Sequence, residues 1–101
     1  MERLSNYDRG TVGLWRRAHA EMAPPQGQGC LATAAVHAVL AGLRRYRDAA
    51  ALLAAYDSSP NADADFALIG SLLPDGPVNP LYYQVREAAC YLRWRELGGA
   101  P

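Results

Sequence analysis

Two cysteines, two histidines and ten carboxylates are the side chains in this 101-residue sequence that could serve catalysis or metal binding. Cys30 and Cys90 stand sixty residues apart with no second pair beside them, so a zinc site would need His19, His37 or carboxylates recruited by the fold. Without that recruitment both thiols read as small core hydrophobes. His19 precedes Glu21 by two residues, a spacing that puts them on different faces of a helix. His37 sits inside an apolar run. Asn61, Asp63 and Asp65 imitate the opening of a calcium loop, but the sixth position is Phe66 where the turn needs Gly, and the twelfth is Leu72, which has no carboxylate. Acidic residues at the start of a helix account for the same pattern. With no Ser, Cys or carboxylate at nucleophile or acid–base spacing, the expectation is a non-enzymatic protein with no cofactor and no metal.

Arginine carries more information. The ten basic residues are all Arg and are balanced by six Asp and four Glu, which gives no net charge and removes the overall basic excess of a free-standing nucleic-acid binder. The charge is polarised along the chain: residues 1–56 hold seven Arg against four acids, and 57–77 hold four Asp and nothing basic. Arg9 and Arg16 are seven apart and share a helix face, with Arg17 beside them, while Arg44, Arg45 and Arg47 cluster where a second helix should end. Arg grips phosphate bidentately, and it also suits a helix C-terminus, so the second cluster has a structural reading as well.

The elements that must position these groups are helical. Nineteen Ala and thirteen Leu stand against five Val, one Ile and one Phe, which favours helix over strand throughout. One all-α domain over residues 1–101, a bundle of four or five helices, is the expected fold. Ser5 to Met22 forms the first helix, with Ser5, Asn6 or Asp8 as cap and Val12, Trp15, Ala18 and Met22 inward. Gly10 and Gly13 lower its propensity and suggest an irregular start or close packing. Pro24, Pro25, Gly27 and Gly29 break the chain. Cys30 to Arg45 reads as the central, apolar helix. Asp48 can cap a segment from Ala49 to Tyr56, and whether residues 30–56 make one helix or two stays open. A turn at Ser58–Asn61 leads to a short helix from Phe66 to Leu73, which Pro74–Pro77 ends. The last helix should take Asn79 as N-cap, Pro80 at its first position and Gly98–Gly99 as its stop. Leu81, Val85, Ala88 and Leu92 form its buried stripe. Tyr82, Tyr83, Tyr91 and Trp94 are more aromatics than one stripe can bury, so part of this set is expected to face a protein partner.

Glu2, Arg3, Asp8 and Arg9 interrupt the N-terminus, and the longest apolar run, residues 30–43, is too short for a bilayer. A cytoplasmic protein with no membrane partner is expected.

Two stretches resemble a known family: Asp8-Arg9-Gly10 followed by Leu14-Trp15-Arg16-Arg17-Ala18, and Gly76-Pro77-Val78-Asn79 followed by Leu81 and Leu92-Arg93-Trp94-Arg95. They are similar to the CasB family, the small helical subunit of Cascade, the type I CRISPR surveillance complex. The resemblance implies a non-enzymatic subunit that contacts protein neighbours and a DNA or RNA backbone, with Arg9, Arg16 and Arg17 matching the early motif and Arg93 the late one. Arg44 and Arg45 join that expected nucleic-acid set as the second basic cluster. The other reading is a small helical adaptor, immunity or inhibitor protein that binds another protein through its aromatic last helix. Self-association is left open in both.

Overall fold

The computed structural model describes residues 4–22, 29–57 and 64–99, without the side chains of 29–32, 64–66 and 77. The Pro24–Gly27 break, the Ser58–Asn61 turn, the Asp63 and Asp65 caps and the Cys30 thiol lie outside what is described. Five α-helices make up the described chain: α1 Asn6–Met22, α2 Gly29–Leu43, α3 Ala49–Asp57, α4 Ala64–Leu72 and α5 Tyr82–Glu96, with a 3-10 turn at Gly76–Val78 before the last. The protein is an all-α bundle, as composition requires. No described helix is long and apolar enough to cross a membrane.

Local chemistry sets the helix ends. The Ser5 hydroxyl accepts the backbone N–H of Asp8 at 3.1 Å, so Ser5 caps α1. The Asp48 carboxylate accepts the N–H of Ala51 at 2.7 Å and starts α3, which makes residues 30–56 two helices. The expected cap at Asn79 with Pro80 at the first position is displaced: α5 begins at Tyr82 with Leu81 as its N-cap, and Asn79 instead ends the 3-10 turn and braces the entry to the helix. Its Oδ1 accepts the Leu81 N–H at 2.9 Å, and its Nδ2 donates to the Pro74 carbonyl at 2.8 Å, tying the turn to the helix entry. At the far end Gly98 takes φ +94°, the Gly99 N–H reaches the Trp94 carbonyl and the Gly98 N–H the Arg95 carbonyl, both at 3.0 Å. That is a Schellman cap, which needs a residue tolerant of the left-handed region. Gly99 also lies against the Trp94 indole, where a Cβ would sit 2.3 Å from ring carbons. Gly10 and Gly13 are different: each lies inside α1 with nothing within 4 Å of an added Cβ, so neither serves close packing.

The expected central helix was α2, but α5 is the one that packs on all four others. Eight of its residues are buried, Arg86 among them. α5 carries the small Ala88 and Ala89 between bulky Tyr82, Val85, Tyr91 and Trp94, so neighbours can approach it on several sides. Trp15, Ile69 and Val85 are fully enclosed, and Val39 and Leu52 nearly so. Of the expected α5 stripe, Val85 and Ala88 are buried, whereas Leu81 and Leu92 are only half-buried.

Candidate functional site

Arg9, Val12, Gly13 and Arg16 fall at i, i+3, i+4 and i+7 and therefore share one stripe of α1. They line an open cleft of about 320 Å³ together with Leu4 and with Tyr91 and Trp94 of α5. Val12, Tyr91 and Trp94 are buried, so the floor is apolar, and the exposed guanidinium side chains of Arg9 and Arg16 stand at its edge. Gly13 keeps the space between them open, because nothing occupies the place of its Cβ. Arg17 is exposed on the next face, outside this cleft. Among the described residues none of the three side chains makes a hydrogen bond, ion pair or ring contact.

The other arginines of the expected basic set are occupied by the fold. Arg93 is 13% exposed at its side chain. Its Nη2 donates to the Tyr46 carbonyl at 2.6 Å and the Arg44 carbonyl at 3.3 Å, its Nε donates to Tyr46 at 3.1 Å, and it pairs with Glu96. Arg93 thus holds the backbone of the segment that follows α2, near a helix end whose dipole favours a cation. Arg44 meets Glu96 at 2.8 Å. The hydrogen bond from Arg44 holds the Glu96 carboxyl below its ordinary value, with Arg93 adding to the effect. Arg45 lies over the Tyr46 ring and donates to its hydroxyl at 2.9 Å. Within this second cluster Arg44 and Arg45 are engaged by the side chains of Glu96 and Tyr46, and Arg93, distant in sequence, is the side chain that reaches the backbone there.

The aromatic set is corrected in the same way. Tyr82, Tyr91 and Trp94 are buried core, and Tyr83 alone of the four is exposed, at 59%. Three aromatics fit in the core because α5 is enclosed around most of its circumference, a consequence of its central position.

Sequence reasoning missed one polar cluster. Arg86 is 6% exposed, donates to the Tyr56 carbonyl at 2.7 Å and lies 4.2 Å from the Tyr56 ring centroid. The Tyr56 hydroxyl donates to Glu87 at 3.1 Å, and its ring meets Trp15 edge to face at 5.1 Å. Burial first, and the Glu87 carboxylate second, push the Tyr56 hydroxyl up to about 12. This half-buried cluster fastens α3 to α5. Nothing local in the sequence marks Arg86 as buried, since it precedes the charged Glu87 and an Arg is ordinarily solvated.

A second open cleft, about 280 Å³, lies between α1, α2 and α5 and brings His19 and His37 together with Met22 and Thr33. The His19 ring rests against Tyr91 at 5.1 Å between centroids. Cys90 is buried in the core and lines neither cleft. No group of three or more His, Cys, Asp or Glu among the described residues is placed to hold a metal.

Comparison with protein-family models, with curated protein sequences and with solved structures gives no match to this chain.

Proposed function

We propose that this protein is a non-enzymatic small subunit of a nucleoprotein complex, in which the α1 face carrying Arg9, Arg16 and Arg17 contacts a nucleic-acid backbone. One observation carries the reading. Arg9 and Arg16 stand exposed at the edge of a cleft with no partner among the described residues, while Arg44, Arg86 and Arg93 are engaged within the bundle. Guanidinium groups left unneutralised on a rigid helix are suited to phosphate oxygens. The Asp8-Arg9-Gly10 and Leu14-to-Ala18 motifs, with their resemblance to CasB, favour the same assignment. Exposed Tyr83 and Val78, 59% and 81% accessible, offer apolar contact to neighbouring protein subunits. They are also what supports the adaptor reading, in which protein contact is the whole function.

The test is fluorescence anisotropy with labelled DNA over a salt series. Three phosphate contacts correspond to a slope of log K against log salt of roughly −2 to −3. Binding by a single copy should be weak and lost as salt rises, and Arg9/Arg16/Arg17→Ala should abolish it. Binding that ignores salt, or a triple variant that binds normally, contradicts the proposal and puts the adaptor reading first.

A further inference from the structure

The second cleft uses residues that the proposed interface leaves alone. His19 and Met22 are separated by three residues on α1, and Thr33 and His37 by four on α2, so each helix presents one pair on one face. All four line the same cleft, whose remaining wall is apolar and includes Val36 and Leu92. Contact with Tyr91 restrains the His19 ring, and His37 stands exposed on the facing helix. Among the described residues neither imidazole makes a hydrogen bond, which leaves their ring nitrogens available to a ligand. No carboxylate lines the cleft.

That donor set has a chemical preference. Imidazole binds several transition metals, but a thioether is a soft ligand that selects copper(I), and a hard ion such as magnesium or calcium would require the oxygen donors that are missing. A largely apolar wall suits an ion of single charge. We propose that His19, His37 and Met22 bind one copper(I) ion between α1 and α2, through two imidazole nitrogens and one sulfur. Both helices would then be clamped at this end by an ion that binds the folded state only.

The experiment is an anaerobic titration of copper(I) against the chromophoric chelator bicinchoninate, in a Cys30→Ser background so that this thiol does not compete. The protein should withdraw one equivalent, its melting temperature should rise, and the imidazole ring resonances of both histidines should shift in the NMR spectrum. His19→Gln and His37→Gln should each weaken binding at least tenfold. Met22→Leu should weaken copper(I) by a similar factor while leaving the feebler binding of zinc(II) unchanged. Failure to withdraw copper, or unmoved histidine resonances in the unsubstituted cleft, overturns the site. Full affinity in the histidine variants assigns the ion to Cys90 instead, and full affinity in Met22→Leu removes the basis for copper(I).

Discussion

Gly98 and Gly99 end α5 for different physical reasons, and substitution separates them. Gly98→Ala places a Cβ in the left-handed region and should lower stability by about 1 kcal/mol. Gly99→Ala should cost more, because its Cβ would require the buried Trp94 ring to move. Equal losses in chemical denaturation would contradict that account. Gly10 and Gly13 face open space inside a helix, so Ala at either position should stabilise the protein by up to about 1 kcal/mol. Tyr56 gives a pH test. Its hydroxyl pKa is raised from 10.0 to about 12 in the folded state. The neutral phenol is therefore favoured by folding, and the stability it contributes is present below about pH 10 and lost as pH rises through about 12. In an absorbance titration at 295 nm the Tyr56 step should lie near 12, and Glu87→Gln should move that step downward. A Tyr56 step that stays in place after Glu87→Gln would show that burial alone sets it.

The helices themselves were largely legible, because capping and periodicity are local. Ser5, Asp48 and the Gly98–Gly99 pair mark ends that the structure keeps, and the Ala and Leu excess excludes a sheet. What the sequence did not reveal is which helix lies at the centre. α2 is the more apolar, yet α5 is central, since its Ala88 and Ala89 permit approach on faces that a pattern of charges suggests are wet. That difference reverses the expectation for Tyr82, Tyr91 and Trp94, and it changes the mutational ranking within α5. Val85, fully enclosed, should lose about 1 to 3 kcal/mol on truncation to Ala, and half-buried Leu92 should lose less than the 2 to 5 kcal/mol typical of an enclosed Leu. A larger loss at Leu92 than at Val85, measured by urea denaturation, would contradict this order. Asn79→Ala, which removes both the Leu81 N–H acceptor and the link to Pro74, should cost about 1 kcal/mol.

At the scale of the molecule the arginines divide into two populations. Charge counting along the chain identified both clusters but could not tell them apart, because the partners of Arg44 and Arg93 come from about fifty residues away. Three-dimensional packing engages Arg44, Arg45 and Arg93 within the bundle and leaves the side chains of Arg9, Arg16 and Arg17 exposed. Two variants, Arg9/Arg16/Arg17→Ala and Arg93→Ala, therefore test the central claim when DNA binding and unfolding are measured side by side. The triple variant should unfold at the wild-type urea midpoint and lose salt-dependent DNA binding. Arg93→Ala should unfold earlier, by about 1 to 3 kcal/mol, since it strips the part-buried donors from the Tyr46 and Arg44 carbonyls, and at temperatures where it is folded it should bind DNA as the wild type does. The opposite pattern, with stability lost in the triple variant and DNA binding lost in Arg93→Ala, would contradict the account.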